Sequence, residues 1–196
     1  HFIRTIVQSH TYQLSVEPTG TNRNDTVNYS RFHPRPLEAP VLLDAISRVT
    51  GVNEKFQMYA GGLGHKGATP PGTRAVDTIP DLCPSHFLDV YGRSNRQTLP
   101  EYYDETTIQQ ALHILAGSTY NDKISEAGGR LAHLLAGPAT DRRIMEELYL
   151  ATLCRYPTER EHDELEQLIR EGTSRKTSME ALTWALVSSR EFAYNH

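Results

Sequence analysis

The side chains able to do chemistry in this sequence group by type more than by motif. Tyr outnumbers Phe and Trp together, ten against six. Tyr12, Tyr29, Asn22, Asn28, Arg31 and Arg35 crowd a polar first half. Flat aromatic rings beside amide and guanidinium donors suit polyhydroxylated or anionic ligands. The plainer reading is structural, with tyrosine hydroxyls and arginine forks stapling loops to a helical core. Asn24-Asp25-Thr26 and Asn28-Tyr29-Ser30 are glycosylation sequons, triplets that are frequent by chance.

Metal and nucleophile chemistry find less support. Glu159-Arg160-Glu161-His162 holds one Glu-x-x-His, which puts both side chains on one helix face. A di-iron bundle needs two such motifs and two further glutamates. The single copy falls at a polar helix start, where acids favour the helix dipole, so a solvated face is expected there. The nine histidines form no His-x-x-x-His pair. No Gly-x-Ser-x-Gly elbow occurs, and no Cys-x-x-Cys-His haem attachment. Cys83 lies near His86 in sequence, but catalytic dyads are assembled in space. Cys154, at a helix end, is expected as a small core residue, and a Cys83–Cys154 disulfide stays open. The expectation is no catalytic residue, metal or cofactor in this segment. Ala60-Gly61-Gly62-Leu63-Gly64-His65-Lys66-Gly67 lacks Walker spacing and reads as an exposed loop or linker.

Composition sets the wider limits. The 196 residues include 20 basic and 24 acidic side chains, a net charge of −4, which argues against a nucleic-acid footprint. Two cysteines exclude a disulfide-dense scaffold and a four-cysteine zinc site. No apolar run approaches the roughly 18 residues of a membrane span. The chain begins at His1 without a basic and apolar leader, and is expected to be a piece of a longer polypeptide.

The elements that would position these residues divide in two. Residues 1–100 hold nine Pro and eight Gly; residues 101–196 hold two and five. Pro and Gly break helices and fix turns, so the first half is expected to be loop-rich. Within it, Pro40 starts a helix carrying Leu42, Ala45, Ile46 and Val49 on one face, capped by Gly51. Residues 3–14 fit a helix or a strand. The second half predicts about five short helices. Thr106 and Gln109 fit a capping box ahead of Ile108, Ala111, Leu112 and Leu115, with Gly117 as the stop. Leu131, Leu134 and Leu135 mark a helix ended by Gly137-Pro138; Ile144, Leu148 and Ala151 mark the next. Thr158 with Glu161, and Thr177 with Glu180, fit further capping boxes ahead of apolar stripes. The expected fold is mainly α, with residues 1–196 as a single domain.

Several stretches in order carry a family resemblance. They include Arg4-Thr5-Ile6-Val7-Gln8-Ser9, Asn28-Tyr29-Ser30-Arg31-Phe32, Val41-Leu42-Leu43-Asp44-Ala45-Ile46-Ser47, Pro71-Gly72-Thr73-Arg74-Ala75, and Phe87-Leu88-Asp89-Val90-Tyr91-Gly92-Arg93. Gln110-Ala111-Leu112-His113-Ile114-Leu115, Arg155-Tyr156-Pro157-Thr158 and Ser189-Arg190-Glu191-Phe192 follow. Together they resemble the planctomycete-type C-terminal domain of unknown function, the planctomycete-specific domain one. The resemblance implies a large extracytoplasmic chain, often headed by a cytochrome-c-like domain, and no assigned reaction. Many relatives carry Cys-x-Cys-Glu-Arg where this sequence has Thr98, Pro100, Glu101 and Tyr102, so any thiol-dependent role is in doubt here.

Two functions follow as expectations. One is a non-catalytic helical module that packs on an upstream domain and binds a polysaccharide or a surface protein, with no nucleic acid and no membrane insertion. The other is part of a composite, polysaccharide-directed hydrolase site drawing on Asp77, Asp81 or Asp89. Arg74 and Arg93, each in a stretch of the resemblance, are expected as fixed anchors that fork onto backbone carbonyls or carboxylates. With Tyr12, Tyr29 and Arg31 they complete the candidate ligand-binding set.

Overall fold

The structure, a computed structural model, describes residues 1–59, 67–95 and 107–195. The Gly-rich stretch over residues 60–66 and the Thr98–Tyr102 departure lie outside the described residues.

The first half is loop-rich, as its Pro and Gly content predicts. Helix α1 (Phe2–Val7) buries none of its residues. Helix α2 (Ala39–Thr50) is the anchor of this half. Proline sits in its first turn, and Gly51 closes it in the left-handed region at φ 73°. Its Leu42, Leu43, Ile46 and Val49 are buried, each worth roughly 1.5–3 kcal/mol against exposure. Asp44 on the same helix holds the 3₁₀ turn Ala75–Asp77, accepting from the Ala75 N–H at 2.6 Å and the Val76 N–H at 3.2 Å. Helix α3 (His86–Val90) starts on Ser85, whose hydroxyl accepts from the Leu88 N–H.

Seven helices follow among the described residues of the second half, where about five were expected: α4 (Ile108–Ala116), α5 (Ser118–Ser125), α6 (Arg130–Ala136), α7 (Asp141–Leu153), α8 (Glu159–Glu171), α9 (Arg175–Val187) and α10 (Arg190–Ala193). The two additions are α5 and α10. Helix α5 begins directly after Gly117, which ends α4 and starts α5 with one extended residue. The mainly α fold is as expected. The strands are two-residue pairs, β1 (Arg35–Pro36) with β4 (Tyr194–Asn195) and β2 (Gln57–Met58) with β3 (Gly67–Ala68), both antiparallel.

One cluster of buried side chains joins the two halves. It takes Leu43 and Ile46 from α2, Leu88 from α3, Tyr120 from α5, Ile144, Met145 and Leu148 from α7, and Met179 and Val187 from α9. Buried Lys123 crosses from α5 to the first half, donating to the Val52 carbonyl at 2.8 Å and pairing with Glu54 at 3.2 Å. Among the described residues, no helix is long and apolar enough to cross a membrane.

Four local expectations need correction. The first capping box of this half sits one residue later, with Thr107 as the cap and Gln110 reaching back to the Thr107 N–H. Helix α9 starts on Ser174, which accepts from the Thr177 N–H, so Thr177 is inside the helix and does not cap it. Cys154 is exposed, because it ends α7 in the left-handed region at φ 55°. His162 is buried, so its helix face is not simply solvated.

Candidate functional site around Arg93

Gly92, at φ 74°, turns the chain back after α3, and the Arg93 N–H donates to the Leu88 carbonyl at 2.9 Å. This return lays the guanidinium along α3. Its Nε pairs with Asp89 at 2.9 Å and an Nη donates to the Cys83 carbonyl. The Arg93 side chain is only 11% exposed. The expectation of an arginine forking onto a carbonyl and a carboxylate describes what Arg93 does.

Arg93 lines two adjoining spaces. The first is a cleft shared with Tyr59, Asp81, Asp89 and Asn95. The Tyr59 N–H donates to the Leu82 carbonyl at 2.8 Å, which holds the exposed tyrosine on the cleft that Asp81 also lines. Two of the three aspartates considered for acid chemistry, Asp81 and Asp89, thus share one cleft. The third does not: Asp77 accepts the Arg74 guanidinium fork at 2.8 and 3.0 Å on the surface.

The second space is a cavity of about 120 Å³ between the start of α2, the turn after α3, α4, and the junction of α9 with α10. Tyr91 and Tyr120 line it, their hydroxyl oxygens 3.1 Å apart. Burial pushes both phenols up from the usual tyrosine value, so both stay O–H donors at ordinary pH. Behind them His113 is buried between the rings of His86, Phe87, Tyr91 and Tyr120 at centroid distances of 5.4–6.1 Å. Burial, and then the neighbouring His86, push the His113 imidazole below its usual value, so it is held neutral. Its Nδ1 has no hydrogen-bond partner among the described residues.

The other candidates lie elsewhere. Tyr12 and Tyr29 are exposed on the N-terminal loop, and Tyr29 takes a φ of 51° with its ring edge-on to His33. Arg31 is half-buried, its Nε without a hydrogen-bond partner among the described residues. Asp25 organises that loop, accepting from the N–H groups of Val27, Asn28 and Ser30 and from the Ser30 hydroxyl. The structure therefore unites Arg93 with neither Tyr12, Tyr29, Arg31 nor Arg74 in these two spaces. The residues that sequence reasoning missed are Tyr59, Asn95 and Tyr120. Tyr120 had no signal of its own, since Gly117 read only as a stop.

Helix α4 carries the second feature of note. Its apolar stripe faces outward: Ile108, Leu112 and Leu115 are 80%, 60% and 65% exposed. His113 is its one buried residue, and Gln110 and Ile114 turn inward with it. Gln110 donates to the Val90 carbonyl, and the Ile114 carbonyl accepts from Trp184 Nε1 at 3.1 Å. Among the described residues, no group of three or more His, Cys, Asp or Glu side chains is placed to hold a metal ion. Cys83 and Cys154 are free, the first buried and the second exposed.

No curated protein and no solved structure matches the chain. Residues 1–169 match the sequence pattern of PSD1, described as a protein of unknown function (DUF1553), and the chain belongs to that family.

Proposed function

We propose that this chain is a non-catalytic helical module that packs on an upstream domain of a larger extracytoplasmic polypeptide through the outer face of α4. The observation that supports this reading is the stripe of Ile108, Leu112 and Leu115 in water. Scattered exposed aliphatics are ordinary, whereas three large ones on a single helix face mark a contact surface. Covering them is worth roughly 1.5–3 kcal/mol per side chain. Tethering in one polypeptide makes that gain go further, because the second contact becomes intramolecular. Leu112→Glu tests the reading: it should leave the melting temperature of the isolated chain unchanged and weaken association with the upstream domain supplied in trans. Unchanged association would remove the support.

A second reading draws on the cleft beside Arg93. Tyr59 offers an exposed ring, and Asp81, Asn95 and Asp89, the last paired with Arg93, line the cleft with it. Such a set suits a polysaccharide chain, bound there or cut at a composite site that the upstream domain completes. Binding of neutral and acidic glycans to wild type and to Tyr59→Ala distinguishes it. Equal binding by both proteins would count against the cleft.

A further inference from the structure

Tyr91 and Tyr120 pose a simple proton count. Two phenols carry two O–H donors, but the 3.1 Å contact between their oxygens uses only one. Among the described residues neither hydroxyl has another partner. One O–H is therefore left over, and both tyrosines line the 120 Å³ cavity. Tyr120 is 2% exposed and Tyr91 half-buried, so the less costly arrangement has Tyr120 donating to the Tyr91 oxygen and leaves the Tyr91 hydroxyl as the spare donor on the cavity.

We propose that this cavity binds a small uncharged molecule with a short apolar body and one carbonyl or hydroxyl oxygen, which accepts the spare tyrosine proton. The proposal rests on neither the α4 face nor the acidic cleft. The deep walls are Leu42, Val187 and Tyr120, at 4%, 1% and 2% exposure. They hold no formal charge, so an ionised carboxylate in their midst would lose its hydration with nothing opposite it. Three charged residues also line the cavity: Arg93 pairs with Asp89, the Arg190 guanidinium lies 4.9 Å from the ring centroid of Tyr194, itself a lining residue, and the Glu38 carboxylate disfavours an anion. Size sets the remaining limit. A dry cavity of about 150 Å³ takes up benzene, so about 120 Å³ suits a five-membered ring or a short branched chain.

The test is a titration of isotope-labelled protein followed by amide chemical shifts, with cyclopentanone, cyclopentane and butyrate as probes. Cyclopentanone should move the amides of Leu42, Tyr120 and Val187 and bind about three- to tenfold more tightly than cyclopentane, the range of one neutral hydrogen bond. The double variant Tyr91→Phe/Tyr120→Phe should bring that ratio close to one, while each single variant keeps one O–H and most of the ratio. Equal binding of cyclopentanone and cyclopentane by wild type overturns the proposal, as do shifts that avoid these three amides. Tighter binding of butyrate than of cyclopentanone overturns it too, and so does a ratio that survives in the double variant. The wild-type comparison decides the matter even where the double variant fails to fold.

Discussion

Arg155 and Glu191 stand 36 positions apart and form a two-pronged pair, with Nε to Oε1 at 2.7 Å and Nη2 to Oε2 at 3.0 Å. The same guanidinium takes Glu161, Nη1 to Oε2 at 2.9 Å and Nη2 to Oε1 at 2.8 Å. Glu161 in turn accepts from the Thr158 N–H and closes the capping box of α8. One side chain thus ties the end of α7 to the starts of α8 and α10. Cys154, left-handed at φ 55°, makes the turn that delivers Arg155 to this place.

Lysine cannot reproduce that fork. Its ammonium is a point charge, whereas the planar guanidinium meets two carboxylates at once. Arg155→Lys is expected to lower stability by about 1–3 kcal/mol, in the range of lost charged hydrogen bonds. Urea unfolding followed by circular dichroism measures it, and an unchanged midpoint would contradict the assignment.

The same network predicts an acid limb. Hydrogen bonding from Arg155, foremost, holds the Glu161 carboxyl down at about 2, below its ordinary 4.5. A carboxyl lowered in the fold stabilises it fully above the unfolded value. That contribution fades as pH falls from about 4.5 toward 2. Asp77 beside Arg74 and Asp25 in its loop are shifted in the same direction. The melting temperature should therefore decline between pH 5 and 2, less steeply in Glu161→Gln. Equal slopes in the two proteins would exclude Glu161 as a source.

Gly117 gives a steric prediction. A Cβ there would stand 2.3 Å from the His113 carbonyl oxygen and 2.5 Å from the His113 ring, whereas a Cβ on Gly128 meets nothing within 4 Å. Gly117→Ala is expected to cost about 1–3 kcal/mol through overpacking, and Gly128→Ala to be tolerated. Paired thermal melts check the contrast, which similar losses at both sites would refute.

The two arginines read as anchors should separate. Arg93 is nearly buried and holds both Asp89 and the Cys83 carbonyl; Arg74 and Asp77 pair in solvent at 65% and 55% exposure. Arg93→Lys is expected to cost about 1–3 kcal/mol. Arg74→Lys should leave stability near wild type, since exposed pairs contribute little. Unfolding curves of the two variants side by side decide it.

What the sequence made legible was local. Pro40 and Gly51 bound α2, and Thr158 with Glu161 starts α8, because caps act within a single turn. The caps fall on Thr107 and Ser174 where Thr106 and Thr177 were expected, because neighbouring threonines and serines compete for the same role. The apolar stripe of α4 announced a helix correctly but not which way it faces. Periodicity marks a face, and only the tertiary partners, here Trp184 and the His113 ring cluster, turn the other side inward. Helix α5 went unseen because Tyr120, Lys123 and Ile124 are its only buried residues in a polar stretch. The meeting of Tyr59, Asp81 and Arg93 depends on a turn at Gly92 and a long-range hydrogen bond from Tyr59, neither of which spacing encodes. The family pattern stops at residue 169, yet Met179, Leu186 and Val187 of α9 complete the core beyond it.

Carbene footprinting of α4 tests the packing proposal most directly. Side-chain labelling at Ile108, Leu112 and Leu115 is compared between the isolated chain and a longer polypeptide carrying the proposed upstream domain. Exposed Leu168, at 44%, serves as the reference on another helix. The account predicts that labelling of the α4 stripe falls severalfold in the longer polypeptide while Leu168 is unchanged. Equal labelling of the stripe in both would contradict it.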